Sequence, residues 1–134
     1  MATQVAYPTG RAVNFNTGVG LHDISQMASG NGWSSASITA HAGGLQPLAT
    51  PIRSALTLIA VCATTGDSVQ LPPAVGGQIL WVTNAGAASA QIFANPGADT
   101  INAVANGTGI ALANGKTMTL MAPIPGAWFG VLSA

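Results

Sequence analysis

The sequence predicts an all-β protein, an antiparallel β-sandwich of the jelly-roll kind that is preceded by an extended N-terminal arm. Three observations predict this class. Residues after position 50 form short apolar stretches that end at Gly, Asn or Pro every few residues, as strands and turns do. No stretch in this region has the sustained periodicity of an amphipathic helix. A chain of 134 residues, 49% of them apolar, can bury one hydrophobic core.

Eight strands are predicted after residue 50, and each stops at a turn signal. In chain order they cover 55–64, 68–71, 78–83, 90–94, 100–104, 108–113, 116–121 and 127–132. The turn signals include Gly66-Asp67, Asn84-Ala85-Gly86, Asn106-Gly107 and Asn114-Gly115. We interpret Asn114-Gly115 as a hairpin turn between the two strands that flank it. Eight short strands without a helix indicate a sandwich or barrel, and the jelly roll is the eight-stranded form.

The chain before residue 50 has a different character. Gly, Asn and Ser interrupt its apolar pieces, no periodicity lasts, and Pro47 and Pro51 mark the transition. We therefore divide the chain into an extended arm with loops, residues 1–50, and a β-sandwich domain, residues 51–134. Such an arm could contact a partner, or it could wrap back over its own sandwich; both alternatives stay open.

The faces of the predicted strands differ in polarity. Near residue 118, Met118 alternates with Thr117 and Thr119, as expected of a sheet with one face in solvent. The strands around Trp81 and Trp128 are instead apolar on both faces. Something must cover the second face of these strands, either the N-terminal arm or a neighbouring subunit.

Charge is very scarce, and this excludes several classes of partner. Only 4% of the residues are charged and the formal net charge is zero, whereas about a quarter of an average soluble domain is charged. Nucleic-acid binding and membrane-surface binding both need clustered Lys and Arg, and we expect neither. The longest apolar run, 55–63, is too short for a membrane-spanning helix. A weakly polar surface without net charge favours association between protein molecules.

The chain offers few groups for catalysis or metal binding. The two imidazoles, His22 and His41, lie in the irregular region, with Asp23 beside the first. Cys62 is the only cysteine and lies inside an apolar run, so we expect it to be buried. Asp67 is interpreted as a turn residue whose carboxylate accepts hydrogen bonds from nearby backbone N–H groups, and Asp99 likewise. We therefore expect no enzyme activity, no cofactor and no metal.

Residues 64–129 resemble a module that recurs in virion proteins of tailed phages, particularly small capsid decoration, or cement, proteins. The similar segments are 66–72, 82–87, 92–102, 110–116 and 126–129. The resemblance implies a structural protein on the exterior of the capsid that binds the major capsid protein and further copies of itself. It also implies a homo-oligomer, with a trimer favoured over a dimer.

Aromatic residues and Arg are frequent at the energetic centres of interfaces. The interface candidates are accordingly Tyr7, Arg11, Phe15, Trp33, Trp81 and Trp128. The leading alternative is a carbohydrate- or receptor-binding module of a phage tail fibre or host-attachment appendage, for which Trp33 beside Asn31 is the suggestive pair. An enzyme is the third alternative.

Overall fold

A computed structural model describes residues 34–134 of the chain, and residues 1–33 lie outside the described part. Ten strands and one short 3-10 helix, Gln46–Leu48, make up the described fold. The strands are β1 Ser35–Thr39, β2 Thr50–Pro51, β3 Leu56–Val61, β4 Ser68–Gln70, β5 Gln78–Asn84, β6 Ala90–Phe93, β7 Thr100–Ile101, β8 Ile110–Leu112, β9 Thr117–Ile124 and β10 Ala127–Leu132. No α-helix occurs within residues 34–134.

The strands form two sheets, and the chain crosses from one to the other at almost every step. The large sheet has six strands in the order β1-β3-β5-β9-β10-β7, and the small sheet has four in the order β2-β4-β6-β8. In the large sheet β3 pairs parallel with both β1 and β5, and in the small sheet β4 pairs parallel with both β2 and β6. From β1 to β6 the chain therefore winds as a short β-solenoid, with one strand of each coil in each sheet.

The all-β prediction is confirmed, but the antiparallel jelly roll is wrong. Among the strands, antiparallel pairs are β9 with β5 and β10, and β8 with β6. Asn114-Gly115 does form a turn, since the N–H of Lys116 donates to the carbonyl of Ala113 at 3.1 Å. It is not a hairpin turn, because β8 and β9 belong to different sheets. The hairpin in this region is β9–β10, which turns at Pro125-Gly126, where Gly126 has a φ of 82°.

All eight predicted strands are present, seven of them with shifted ends and β10 with the ends that were predicted. β9 continues through Pro123 to Ile124, beyond its predicted end at residue 121. Two further elements, β1 and the start of β2, lie before residue 51 and pair with β3 and β4. Residues Ser35–Ala134 accordingly form one compact unit, so the β domain includes residues that the sequence division assigned to the arm. Whether residues 1–33 form an extended arm lies outside the described residues.

The core fills the space between the two sheets. Leu80 and Val82 of β5 point inward, as do Val69 of β4 and Ile92 of β6, and all four belong to one buried cluster. Each such side chain contributes about 1.5–3 kcal/mol by leaving water. Trp128 is the largest of the fully buried side chains, and its Nε1–H donates to the carbonyl of Pro72 at 3.2 Å.

A buried asparagine joins the coils at one edge of this core. The Nδ2 group of Asn84 donates to the carbonyls of Ala88 and Leu112, each at 2.8 Å. Its Oδ1 accepts from the N–H of Gly86 at 2.9 Å. Asn84 thus ties β5, in the large sheet, to the end of β8, in the small sheet. Because a buried amide without partners is costly, this full set of hydrogen bonds is what permits Asn84 in the core.

Candidate functional site

The polar groups that could support chemistry are used to hold loops together. The carboxylate of Asp67 accepts hydrogen bonds from the N–H groups of Thr64 and Ala63, each at 2.9 Å, and of Gly43 at 3.2 Å. These bonds, that from Thr64 foremost, hold the pKa of Asp67 below its ordinary value of 3.8. Asp67 is therefore a turn residue, as predicted. The carboxylate of Asp99 accepts a hydrogen bond from the N–H of Ala74 at 2.8 Å. Ala74 is distant in sequence, whereas the prediction was a bond from a nearby N–H group.

Cys62 and His41 lie close to Asp67 without forming a reactive group. Cys62 is buried, as predicted, and its burial raises the pKa of the thiol above the ordinary 9.0. His41 and Ser68 exchange two backbone hydrogen bonds, of 2.9 and 2.7 Å. The Ser68 hydroxyl donates to the carbonyl of Gly43 at 2.7 Å and is fully buried. This cluster stabilises the loops that connect the sheets.

Within residues 34–134, no three His, Cys, Asp or Glu side chains come together as a metal ion would require. In the same range no helix is both long and apolar enough to cross a membrane. His22 and Asp23 lie outside the described residues, and the expectation that they have no chemical role stays a prediction.

The distinctive surface of the molecule is the outer face of the large sheet. Side chains alternate along its strands, so that Ile59 of β3 points into the core while Leu56 and Leu58 point outward. The register places these outward residues in rows across the sheet. One row joins Leu56 to Trp81, Trp81 to Thr119 and Thr119 to Val131.

A second row on this face joins Ile79, Met121 and Phe129. Phe129 is 45% exposed and Val131 62% exposed, and Leu56, Leu58 and Met121 are also exposed. Polar positions on the face are small hydroxyl residues, and Thr83 and Thr117 hydrogen-bond to each other at 2.7 Å. No strand of the large sheet contains Asp, Glu, Lys or Arg. We call this surface the apolar face.

The small sheet differs because loops cover part of its outer face. Phe93 of β6 alternates with the core residue Ile92 and so points outward, yet it is only 4% exposed. The loop before β8 lies on it, since a Cβ atom on Gly109 would stand 3.1 Å from the Phe93 ring. From the other side, the Nε2 group of Gln46 donates to the carbonyl of Ala94 at 2.7 Å. Loops thus cover the aromatic residue on one outer face of the domain, whereas the described residues leave the aromatic and aliphatic residues of the other face open.

A shallow groove of about 510 Å³ runs along the β1 side of the apolar face. Hydroxyl and apolar side chains line it, with one indole at its inner side: Ser35, Ser37, Leu56, Leu58, Trp81 and Thr83. The opposite side of the face, at β10, carries the protruding Phe129 and Val131.

Of the six interface residues expected from the sequence, the structure describes two, Trp81 and Trp128. Trp81 lies on the apolar face, in the middle strand of its five main strands. Trp128 does not, because its side chain is fully buried in the core; its neighbours Phe129 and Val131 occupy the outer face instead. Tyr7, Arg11, Phe15 and Trp33 lie outside the described residues and stay predictions.

Sequence reasoning missed the other members of the apolar face. Leu56 and Leu58 stand in the apolar run 55–63, whose one polar residue, Thr57, is buried in the structure. Phe129 stands in a strand that is apolar on both faces, and so the sequence did not distinguish it from its buried neighbour Trp128. A strand of this kind shows that two faces are apolar, but its pattern does not tell which one faces the core.

Comparison with known proteins shows no family: no protein-family profile matches the chain, and neither a curated protein nor a solved structure matches it. The resemblance to phage virion proteins therefore stays an interpretation of the sequence.

Proposed function

We propose that this chain is a structural protein of a virus particle, a decoration or cement protein that binds the outside of a tailed-phage capsid and stabilises the head. The observation that carries the proposal is the apolar face, which residues 34–134 leave uncovered and on whose strands they place no charged side chain. Monomeric soluble proteins rarely expose contiguous apolar patches of more than a few hundred Å². Burying such a surface contributes roughly 25 cal/mol per Å² of apolar area, so the face favours an assembled state.

The electrostatics support a role in assembly. Arg53, Asp67, Asp99 and Lys116 are the charged residues in the described range, and none of them lies on a strand. Asp67 and Asp99 accept backbone hydrogen bonds, and the Lys116 ammonium donates to the carbonyl of Ala134. Binding through this surface would depend on apolar contact rather than on ion pairs, and salt would screen it little. The proposal accordingly assigns the protein no catalytic step and no cofactor.

The proposed partners are the major capsid protein and further copies of the chain. Cement proteins of this kind act by adding buried interface across the seams of a shell. A contact that is weak for one copy becomes strong when neighbouring copies on the shell are linked, because binding of the second site is then intramolecular. Tyr7, Arg11, Phe15 and Trp33, all before the first described residue, stay the predicted contribution of the arm to this contact.

Immunogold labelling of purified virus particles tests the proposal. An antibody against this chain is expected to label the whole surface of the head. Label that is confined to the tail, or absent from intact particles, would contradict it. Heads stripped of the protein and then reloaded should regain resistance to heating, which gives a functional readout.

The groove favours a second candidate, a carbohydrate-binding module of a tail fibre or host-attachment appendage. Its lining combines the Trp81 indole with the hydroxyls of Ser35, Ser37 and Thr83. An aromatic ring beside hydroxyl groups suits a neutral sugar, which offers an apolar ring face and hydrogen-bonding edges. This candidate predicts glycan-array binding that Trp81→Ala abolishes in a folded protein, together with labelling of the tail. Binding to the array that is unaffected by Trp81→Ala would exclude the groove as the site.

A further inference from the structure

We infer that the apolar face packs against the same face of a second copy of this chain, forming a two-fold dimer in which the large sheets stack. The inference rests on the proposed function, which needs self-association, and it names the surface and the geometry that accomplish it.

The absence of charge on the face suits contact with itself. A two-fold interface brings the same surface patch of both copies together, so a patch whose charges share one sign would repel its own copy. The strands of the large sheet carry no charged residue. No like-charge repulsion therefore opposes self-contact, and only hydroxyl groups, which can find partners across the interface, need to leave water.

The shape of the face is also complementary to itself. β5 is the middle one of the five strands β1-β3-β5-β9-β10. The groove lies on one side of it, between Ser37 and Trp81, and the protruding Phe129 and Val131 lie on the other. A two-fold axis that runs along β5 places β10 of each copy over β1 and β3 of the other. Val131 stands in the same row as Ser35 and Leu56, so Val131 of each copy then lies over the groove of the other, with Trp81 beside the axis.

The area of the face reaches the lower limit for a specific interface. Neighbouring strands are about 4.8 Å apart, so five strands span about 24 Å, and the six residues of β3 extend about 20 Å. The footprint is therefore about 480 Å² on each copy, or about 1,000 Å² for the pair, which is where specific protein interfaces begin. Two sheets stacked face to face can pack at about 10 Å with their strands nearly aligned, as this axis requires.

This geometry differs from the trimer that the resemblance implies. Each copy has one apolar face, and stacking uses it completely, so the assembly closes at two copies. A third copy, like the capsid, could bind this pair only through another surface.

Sedimentation velocity and native mass spectrometry of the full chain test the dimer. Val131 and Val75 form a matched pair, because both are exposed valines, 62% and 57%, but only Val131 lies on the apolar face. Val131→Lys would bury two ammonium groups without partners and is expected to weaken the dimer by at least ~100-fold. Val75→Lys should leave its Kd within about twofold of the parent's, since a surface change away from the interface has little effect. Leu58→Lys places an ammonium group in the groove. It should weaken the dimer as Val131→Lys does, because both residues lie in the proposed interface.

Three results would overturn the inference: a monomeric parent at micromolar concentration, a trimeric parent, or a dimer that Val131→Lys leaves intact. A monomer would mean that the chain's own residues 1–33 or a different protein covers the face. Virus labelling separates this inference from the proposed function. If the protein is a dimer but the antibody does not label virus heads, the proposed function is refuted and the dimer interface is not. If the protein is a monomer and the antibody labels virus heads, the dimer interface is refuted and the proposed function is not.

Discussion

Gly86 lies so close to Cys62 that no side chain fits between them: a Cβ atom on Gly86 would stand 2.8 Å from the Cα atom of Cys62, and nearer still to its backbone nitrogen. Gly86 follows β5 and Cys62 follows β3, so their contact is where two successive coils of the solenoid touch. The N–H of Ala88 donates to the carbonyl of Cys62 at 3.0 Å, which fixes the two segments together.

Gly86→Ala is expected to destabilise the protein by about 3 kcal/mol, because the new methyl group meets backbone that cannot move without breaking the contact between coils. Gly76→Ala is the control, since a Cβ atom there comes no closer than 3.7 Å to its neighbours. Urea unfolding followed by circular dichroism measures both. Equal stability of the two variants would show that the coils can separate at Gly86 without cost.

Asn84→Ala is expected to cost about 3 kcal/mol of unfolding free energy. It leaves the carbonyls of Ala88 and Leu112 and the N–H of Gly86 without their partner inside the protein. Asn95→Ala removes the same amide from an exposed loop, where the Asn95 side chain donates to the carbonyl of the adjacent Pro96, and should cost less than about 0.5 kcal/mol. A small effect at Asn84 would mean that water replaces the lost hydrogen bonds.

Stability should fall in acid partly through Asp67. Its pKa is lowered in the folded protein, so the contribution of its carboxylate is complete above the unfolded value, near 3.8, and is lost as the pH falls from there through the folded pKa. Asp67→Asn should be less stable than the parent near pH 7, and the difference should shrink in the acid range. Thermal melting at about pH 7 and about pH 3 measures this. A difference that does not change with pH would assign the effect to shape rather than to ionisation.

Cys62 should resist thiol reagents while the protein is folded. Burial keeps its thiol protonated and inaccessible, and the thiolate is the reactive form. Iodoacetamide labelling followed by mass spectrometry should show modification only after denaturant is added. Cys62→Ala should leave particle assembly intact, and rapid labelling of the folded chain would contradict both expectations.

Shortening the chain should separate the fold from the arm. A chain that begins at Ser34 keeps every described strand and should stay folded, while one that begins at Thr50 loses β1, whose Ile38 packs against the core, and the buried Ala40. The second chain is therefore expected to unfold at markedly lower denaturant concentration. If the arm contacts the capsid, the chain that begins at Ser34 will bind virus heads more weakly than the full chain. Equal binding would assign the contact to the β domain.

Local features of this protein could be predicted from the sequence because they depend on neighbouring residues. Alternation of Met118 with its flanking threonines, together with turns at Asn and Gly, predicted all eight C-terminal strands. The same local chemistry predicted the hydrogen bonds of the Asp67 carboxylate and the burial of Cys62 within its apolar run.

The tertiary structure alone decided how those strands pair and which face each one buries. A jelly roll and a solenoid use the same short alternating strands, and they differ only in partners far apart in sequence, such as Leu56 and Trp81. Trp81 and Trp128 stand in strands that are apolar on both faces, so local pattern could not tell them apart. Packing between the sheets buried Trp128 and left Trp81 on the apolar face, because only the assembled sheets determine which side of a strand is inside.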